Sequence, residues 1–417
     1  MGPRFAPHDR GNSAPVGAPI HAGGGPEQIS IPCAFMRGGS SRGGFFLATD
    51  LPEDPARRHA FLLAAYGSPD ERQIDGIGGS DPLTSKAAVI ARSRRPDADV
   101  EYTFYQVGID RPSVSSGGSC GNMLAAVGPF AILRGLVAPA EPETTVRIYT
   151  TNTRQTVIAR VPVRAGLPAC EGDCAIAGVP GTGAPIRLDF GDCSGAVSGK
   201  LLPTGAPRNI VEVEGRPARV SLIDAATPFV FVNAHDIGGT ALETPDELIG
   251  NPSLMQRLEL VRGWAAVALG LVAQAEQAKA RSPNLPRVMM VAPPASYKTR
   301  DGQLVAAADA DICVRQLAMQ RPHKALAVTG AVCAAVAAAV EGSVVAEAIG
   351  KKLGEVRLGH PSGVLRVASR IGRSEAGDLV IRSAQIERTA RLIMEGSLFV
   401  RRRRLDELAS ALEGRAA

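Results

Sequence analysis

Two segments of small apolar residues, placed nearly half the chain apart, constrain the fold of this 417-residue protein most strongly. One follows Cys120 and runs to about Leu133, and the other follows His323 and runs to about Val340. A helix that is apolar nearly all round is buried on every side, so each segment is predicted to lie inside a curled sheet. Their spacing indicates a duplicated β/α unit with one central helix in each half.

Short β-branched or alternating apolar runs bounded by Gly and Pro recur along the chain, which is typical of strands. A hairpin is predicted where residues 31–35 and 45–47 flank a Gly/Ser loop. A third helix is predicted after Asn251, an N-cap residue followed by Pro252 at the first helical position. The other predicted strands cover residues 101–106, 145–149, 156–161, 185–190, 218–223, 229–233, 288–291 and 379–386.

Composition indicates an ordinary soluble globular protein, because 45% apolar and 21% charged residues are close to typical values. The net charge of +5 is a mild excess that suits small anions, and 4% aromatic residues offer little stacking surface for nucleic acid. The longest apolar stretch, residues 325–340, is too short to span a bilayer. Seven scattered cysteines without a secretory signal predict reduced thiols in a cytoplasmic protein. Cys170 and Cys174 could suggest a metal or redox pair, but no second Cys/His pair lies at zinc-ligand spacing.

The two ends of the chain differ from its bulk. Residues 1–27 are rich in Gly and Pro and have no signal-peptide core, so a disordered leader is predicted. The basic run 401–404 precedes a short amphipathic segment and is predicted to be a solvated helix start rather than a nucleic-acid contact.

The first of three Gly-rich clusters, residues 36–44, holds four glycines between two predicted strands. Its backbone N–H groups and the hydroxyls of Ser40 and Ser41 can wrap a carboxylate or a phosphate. A flexible hairpin loop is the alternative interpretation. The cluster matches neither the phosphate-binding P-loop nor the dinucleotide fingerprint.

The second cluster, residues 76–86, ends on Lys86, where a polar turn enters the apolar run 87–90. Burial disfavours the charged form of an amine, which would make this lysine a usable base. The alternative is that Lys86 simply points into water, as most lysines do.

The third cluster, residues 115–122, places Cys120 before a predicted helix. A thiol there faces the positive end of the helix dipole, which favours the thiolate, and the same amides can hold a carboxylate. A small capping residue in a tight turn is the alternative. In the second half, His323-Lys324 and the turn 359–363 are candidates for donors to an anionic substrate, or for capping.

Taken together, these motifs resemble the PrpF-type isomerases, a family that includes methylaconitate cis-trans isomerases and 4-oxalomesaconate tautomerases. The resemblance spans about residues 29–400. It rests on Met36-Arg37-Gly38-Gly39-Ser40-Ser41, Thr84-Ser85-Lys86, Cys120-Gly121-Asn122, and the segments 198–205, 228–233, 359–363 and 388–391.

The resemblance implies an α/β (α+β) fold of the diaminopimelate-epimerase type. Two similar domains each have a curled, mostly antiparallel sheet around a central helix, and the active site lies in the cleft between them. It also implies no cofactor and a proton shift in an unsaturated tricarboxylate. The expected divisions are the leader 1–27, an N-terminal domain 28–195, a C-terminal domain 196–380, a strand 381–402 returning to the N-terminal domain, and a helical tail 403–417.

The family's catalytic lysine and cysteine fall on Lys86 and Cys120. Arg42 stands where the family commonly has lysine, so substrate contacts there are expected to differ. The expected partner is a small polycarboxylate, with no metal, nucleic acid or membrane; a homodimer or a higher homo-oligomer is left open. The expected substrate-binding residues are Ser40, Ser41, Ser85, Gly121, Asn122, His323, Ser362 and Gly363.

Three other functions stay open at this point. A two-base amino-acid racemase on the same fold needs a thiol from each half, and no second Cys-Gly helix start is present. A non-enzymatic accessory protein of an iron–sulfur dehydratase would show no activity of its own on aconitate-like acids. Nucleic-acid binding through the basic tail predicts a salt-dependent interaction with DNA.

Overall fold

The computed structural model describes residues 27–191, 193–318 and 320–413. The predicted leader therefore lies outside the described residues, except for Glu27, and so does the end of the predicted tail. In the part of the chain that is described, no helix combines the length and apolar character needed to cross a membrane. The seven cysteines, all within the described residues, form no disulfide bond.

Strands dominate the described chain, and every strand predicted from the sequence is present. The strands of the first half are β1 (Gln28–Gly38), β2 (Ser41–Leu47), β3 (Lys86–Arg92), β4 (Val100–Val107), β5 (Val114–Ser115), β6 (Glu143–Thr150), β7 (Gln155–Arg164), β8 (Leu167–Pro168), β9 (Cys174–Ala175), β10 (Thr182–Gly183) and β11 (Ile186–Asp189). Those of the second half are β12 (Asn209–Val213), β13 (Arg216–Ala225), β14 (Thr227–Asn233), β15 (Arg287–Ala292), β16 (Tyr297–Lys298), β17 (Leu304–Val305), β18 (Ile312–Ala318), β19 (Arg321–Pro322), β20 (Glu355–His360), β21 (Gly363–Arg373), β22 (Leu379–Arg388) and β23 (Ala390–Arg401).

The helices connect these strands. They are α1 (Pro55–Tyr66), α2 (Gly121–Leu124), α3 (Val127–Leu133), α4 (Pro245–Ile249), α5 (Pro252–Ala268), α6 (Ala278–Arg281), α7 (Val328–Ala339), α8 (Val344–Ile349) and α9 (Arg402–Glu413).

The longer strands form one hydrogen-bonded sheet whose pairing pattern repeats. The order is β23-β1-β2-β3-β4-β6-β7-β11 in one half and β12-β13-β14-β15-β18-β20-β21-β22 in the other, and β11 pairs with β22 where the halves meet. In both halves the third and fifth pairings are parallel and the rest antiparallel. The pattern confirms the predicted duplicated unit and the mostly antiparallel sheet, while the predicted domain boundaries stay a prediction.

Alternating side chains of each strand divide the core into an inner and an outer layer. In β3, Ala88 and Ile90 pack inward with α2, α3 and α7, whereas Ala87 and Val89 pack outward against α1. Strand β14 does the same, with Phe231 in the inner cluster and Val232 in the outer cluster that contains α5. This period of two is what a sheet covered on both faces requires. The helices that start near Cys120 and after His323 therefore lie inside the curl, as predicted.

Helix α7 is the clearest of these central helices, since ten of its twelve residues are buried. It begins at Val328, which corrects the prediction of a start directly after His323. The reason is that the N–H of His323 donates to the carbonyl oxygen of Gln316, 2.8 Å away, which extends the β18–β19 pairing past the turn. The chain stays extended at Ala327, the N-cap residue.

The helix predicted from Cys120 to about Leu133 is divided into α2 and α3. Ala125 and Ala126 between them make bonds three residues back, to the carbonyl oxygens of Asn122 and Met123. Pro129 in the next turn has no N–H to continue the regular pattern. Because of this break, α2 is a single turn of four residues.

Local signals explain the remaining helices. Asn251 caps α5 as predicted, its side-chain oxygen accepting from the N–H of Leu254 at 3.1 Å. Helix α1 was not predicted, although Asp54 caps it, Pro55 opens it and Gly67, at φ 70°, ends it. The amphipathic tail is helix α9, and its Leu408 packs into the cluster formed by α1.

We predict that Phe130→Ala lowers the free energy of unfolding by about 3–5 kcal/mol, because it leaves a cavity in the inner core. Phe130 is 1% exposed, and its ring centroid lies 5.8 Å from that of Phe45. Phe399→Ala is the control, since that ring is 59% exposed on β23 and should cost less than about 1 kcal/mol. Chemical denaturation measures both variants, and equal losses would contradict the inner-core assignment.

Candidate active site

Lys86 opens β3 at the inner face of the sheet. It is 8% exposed, and its Nζ donates to Gln106 Oε1 at 2.9 Å and lies 5.2 Å from the centroid of the Phe104 ring. Gln106 is fixed in turn, because its Nε2 donates to the carbonyl oxygen of Ser85 at 2.8 Å. Gly43 on the neighbouring strand allows this close packing, since a Cβ there would lie 1.7 Å from the carbonyl oxygen of Lys86.

Cys120 is the N-cap residue of α2 and is half-buried, with its side chain free of capping bonds. Its main chain is well anchored. The carbonyl oxygen accepts from the N–H of Leu124 at 2.9 Å and from the hydroxyl of Tyr102 at 3.4 Å. The thiol is therefore presented from a fixed backbone rather than from a loose loop.

Strand β4 relates Lys86 to Cys120. Tyr102, Phe104 and Gln106 alternate along it, so their side chains project from one face of the sheet. Tyr102 contacts the main chain of Cys120, and the other two contact the amine of Lys86. The thiol and the amine consequently lie over the same face of the same strand.

Two side chains from the second half of the chain, those of His323 and Arg287, interact electrostatically with Lys86 and Cys120. His323 accepts the N–H of Ala325 at Nδ1, 3.1 Å away, so the neutral ring carries its proton on Nε2. Burial, and then the positive charges of Lys86 and Arg287, lower the pKa of His323 to about 4. Burial also lowers the pKa of Arg287, and the nearby Cys120 opposes that shift. These electrostatic interactions link His323 to Lys86 and Arg287, and Arg287 to Cys120.

The starts of α2 and α7 meet at this point. A Cβ on Gly121 would lie only 2.5 Å from the Cβ of Val328, so only glycine fits. The guanidinium of Arg287 lies at the same junction, with Nη1 3.5 Å from Thr329 Oγ1. No side chain caps the start of α7. The junction therefore gathers positive charge and helix-start amides, which favours an anion.

The Gly-rich hairpin loop lies beside α2. The N–H of Ser40 faces Asn122 Oδ1 at 3.4 Å, and a Cβ on Gly39 would collide with the same oxygen at 2.2 Å. Ser41 is 2% exposed, and its hydroxyl has no hydrogen-bond partner among the described residues. An unsatisfied buried hydroxyl is costly and calls for a ligand or a water.

Contacts between the halves bring the turn 360–363 to the same region. Ser362 donates its hydroxyl to the carbonyl oxygen of Lys324 at 2.6 Å, and Lys324 Nζ lies 2.6 Å from Asp81 Oδ2. Ser40 and Ser362 flank the loop at Gly178, where a Cβ would lie 3.9 Å from one and 4.0 Å from the other.

A narrow cavity opens between these segments. Its lining includes Ser40, Asn122, Ile176, Ala177, His360 and Arg388. His360 is 2% exposed, and its Nδ1 accepts from the N–H of Ser362 at 3.2 Å. Burial, followed by the charge of Arg388, lowers the pKa of His360 to about 3. The ring is therefore neutral at physiological pH.

Comparison with known proteins decides the family. The model of the PrpF protein family matches residues 28–401. The chain belongs to the PrpF family.

Three relatives cover nearly the whole chain. The chain is 42% identical to the 3-methylitaconate isomerase of Eubacterium barkeri, covering 91% of this chain and 99% of that one. It is 44% identical to the (4E)-oxalomesaconate Delta-isomerase of Novosphingobium sp., covering 89% and 98%. It is 39% identical to the 2-methyl-aconitate isomerase of Shewanella oneidensis, covering 90% and 98%. Like these relatives, this PrpF-family chain is an isomerase.

Solved structures agree on the fold. A methylitaconate-delta-isomerase structure aligns with a TM-score of 0.79 at 41% identity, covering 91% of this chain and 98% of that chain. A hydroxyproline epimerase from Agrobacterium vitis aligns with a TM-score of 0.50 at 15% identity, covering 89% and 91%. The second likeness shows the fold alone. The expected diaminopimelate-epimerase-like fold is confirmed.

Two of the expected site residues of this PrpF-family protein, Ser85 and Gly363, form hydrogen bonds within the fold. Ser85 is fully buried, and its hydroxyl accepts from Gln73 Nε2 at 2.8 Å and donates to the carbonyl oxygen of Val107 at 3.0 Å. It holds the strand that carries Lys86 and has no open path to a ligand. The carbonyl oxygen of Gly363 accepts from the hydroxyl of Tyr297 at 2.7 Å, which fixes the turn.

Sequence reasoning missed Arg287 and Arg388, and it left Gln106 unremarked. Arg287 and Arg388 come from strands far along the chain from the Gly-rich clusters, so spacing alone carried no signal for them. His360 and Arg388 did lie within segments that carry the family resemblance, which was the available hint. Among the described residues, no three His, Cys, Asp or Glu side chains form a metal-binding group; the expectation that no cofactor is used stays a prediction.

We predict that acid weakens the folded state partly through His360. The unfolded chain protonates this histidine near pH 6.5, whereas the folded chain does so only near the folded pKa of about 3. Stability must therefore fall as pH drops from about 7 toward 4, by about 1 kcal/mol per pH unit for this residue. His360→Asn keeps an acceptor for Ser362 and should show a correspondingly shallower decline in unfolding free energy between pH 6.5 and 4.5.

The control for this measurement is His235→Gln, which changes an exposed histidine. It should follow the wild-type decline. If His360→Asn also follows it, the buried neutral state of His360 is wrong.

Proposed function

We propose that this PrpF-family protein is a cofactor-independent isomerase that shifts a proton between allylic positions of an unsaturated tricarboxylate, such as methylaconitate, aconitate or 4-oxalomesaconate. The observation that carries the proposal is the buried amine of Lys86 and the half-buried thiol of Cys120 over one face of β4. The names of the oxalomesaconate and methyl-aconitate isomerases support this class of substrate.

Lys86 removes the proton in the proposed reaction. Its free amine takes a proton from the saturated carbon next to the double bond, and the C–H electron pair becomes a new C=C bond. The former π pair moves toward the carboxylate-bearing end and gives a dienolate. The amide oxygen of Gln106 and the Phe104 ring hold the amine in place, and both stabilise the ammonium that forms.

Fixed donors stabilise the negative charge of the dienolate. The guanidinium of Arg287 lies at the start of α7 and interacts electrostatically with Cys120, and the ring of His323 interacts electrostatically with Lys86. A neutral imidazole donates a hydrogen bond without competing for the proton of the intermediate. Preorganised donors of this kind are commonly the largest contribution to a rate enhancement.

Cys120 returns the proton. Its S–H protonates the far carbon of the dienolate, which completes the migration of the double bond and leaves a thiolate beside the ammonium of Lys86. Solvent then moves the proton from nitrogen to sulfur before the next turnover. Cis-trans isomerisation results instead when the intermediate rotates about its new single bond and the proton then returns to the carbon from which Lys86 removed it.

The remaining expected residues anchor the carboxylates. Ser40 and Asn122 line the cavity, and the Ser41 hydroxyl lacks a partner within the described chain. The 362–363 turn approaches Ser40 across Gly178. Ser85 and Gly121 have supporting roles instead, because one hydroxyl is fully bonded and the other residue is required for packing.

The two-base racemase is less supported. It needs a second thiol at the start of α7, and Ala327 and Val328 occupy that start. The relatives are also named as isomerases and not as racemases. An accessory role and nucleic-acid binding have no observation in their favour. Cytoplasmic location and a homo-oligomeric state stay predictions.

A proton NMR screen in deuterated buffer tests the proposed function. The purified protein is incubated with a panel of unsaturated di- and tricarboxylates. Deuterium should enter an allylic carbon together with migration or isomerisation of the double bond in at least one tricarboxylate. Exchange at one stereocentre without double-bond movement would favour the racemase instead.

We predict that Lys86→Met and Cys120→Ser each lower kcat by at least about 100-fold, since each removes one proton-transfer group. The matched controls are Lys352→Met and Cys170→Ser, which change an exposed lysine and an exposed thiol. Both controls should keep wild-type turnover. Wild-type turnover in either site variant would remove that residue from the mechanism.

A further inference from the structure

The cavity beside the proposed catalytic pair contains a charged side chain that the proton shift does not use. Arg388 lines it together with Ser40 and Asn122 on one side and His360 on the other. Neither Lys86 nor Cys120 lines this cavity. It is therefore separate from the reacting groups, and Asn122, two residues after Cys120, connects the cavity to the start of α2.

Arg388 is buried without a compensating charge. It is 4% exposed, and none of the ion pairs among the described residues includes it. Burial lowers the pKa of Arg388 to about 10, so the side chain is still positively charged at neutral pH. An unpaired buried cation is costly, and binding an anion would offset that cost.

The guanidinium presents a free edge. Its Nη1 donates to the carbonyl oxygen of Glu387 at 2.9 Å, while Nε has no acceptor among the described residues. The Nε and Nη2 groups form the side-on fork that a carboxylate bridges with two parallel hydrogen bonds. A planar, bidentate anion fits this edge better than a single point acceptor.

The rest of the lining also suits a carboxylate. The side-chain amide of Asn122 and the neutral ring of His360 provide donors, and the part of the lining that the structure describes includes no acidic side chain. Ile176 and Ala177 close the cavity from the loop that follows β9.

The position of Arg388 is fixed relative to the Gly-rich loop. Arg37 Nη1 lies 2.9 Å from Thr389 Oγ1 and 3.0 Å from the carbonyl oxygen of Gly39. The N–H of Gly39 donates to the carbonyl oxygen of Thr389 at 2.9 Å. These bonds hold the neighbour of Arg388 against the loop that carries Ser40. The cation is thus pre-positioned beside the proposed substrate anchors.

We propose that Arg388 binds a substrate carboxylate that takes no part in the proton shift, and that it orients the acid so that its reacting carbon faces Lys86 and Cys120. This inference rests on the proposed function for the identity of the substrate. It extends that function by assigning a binding residue that sequence reasoning did not find.

Binding of propane-1,2,3-tricarboxylate, which cannot isomerise, provides the direct test. Isothermal titration calorimetry compares the full-length wild type with Arg388→Gln, Arg388→Lys and Ala177→Phe, the last of which fills the cavity and leaves the arginine in place. Arg382→Gln is the matched control, since it changes an exposed arginine on the same strand.

We predict that Arg388→Gln weakens binding by about 10- to 100-fold, as expected for loss of a charged bidentate contact, and that Arg388→Lys weakens it less. Ala177→Phe should also weaken binding, and the double variant should lose little more than Arg388→Gln alone because both changes remove one contact. The control should bind as the wild type does. Wild-type affinity in Arg388→Gln, or losses that add fully in the double variant, would overturn the proposal.

Two further results keep the test decisive. Should Arg388→Gln fail to fold by circular dichroism, Ala177→Phe decides alone, and unchanged affinity in it would overturn the proposal. With the substrate found by the NMR screen, Arg388→Lys should raise KM and leave kcat within a few-fold, as expected for lost ground-state binding. A protein that exchanges no acid would refute the proposed function, whereas exchange with unaltered Arg388 variants would refute this inference alone.

Discussion

The contact between Gly121 at the start of α2 and Val328 at the start of α7 is the constraint on which the site depends. It joins the two central helices end to end, with room for no side chain on Gly121. Because each helix belongs to a different half of the repeated sheet, the contact aligns groups from the two halves of the chain. Cys120 influences the pKa of Arg287, and Lys86 influences that of His323, across this junction.

The charge distribution around this junction connects the fold to the chemistry. Arg388 is buried and Arg287 is partly buried, and neither forms an ion pair with a carboxylate among the described residues. The two histidines among them, His323 and His360, avoid adding to the positive charge by remaining neutral. The folded protein thus holds an excess of buried positive charge that a polyanionic acid would neutralise. That cost in stability is consistent with a site built for binding rather than for folding.

The sequence was informative where local chemistry decides structure. Asn251 predicted the start of α5, and the Gly/Ser loop predicted the hairpin of β1 and β2, because helix caps and turns depend on only a few neighbouring residues. Elsewhere, tertiary contacts outweighed the local sequence signals for secondary structure and for site residues. The β18–β19 pairing makes α7 begin after His323 rather than at it. The resemblance pointed to Ser85 as a substrate-binding residue, and in the structure its hydroxyl is hydrogen-bonded to Gln73 and Val107. Arg287 and Arg388 could not be found by spacing, since only the fold brings their strands to the site.

The central claim is that one small acid lies between the amine of Lys86 and the thiol of Cys120. A crystal structure of the full-length protein with propane-1,2,3-tricarboxylate tests it most directly. The account predicts that one carbon of the acid lies within about 4 Å of both Lys86 Nζ and Cys120 Sγ, the separation from which proton transfer can proceed. An acid bound elsewhere, or one whose carbons approach only one of the two groups, would contradict it.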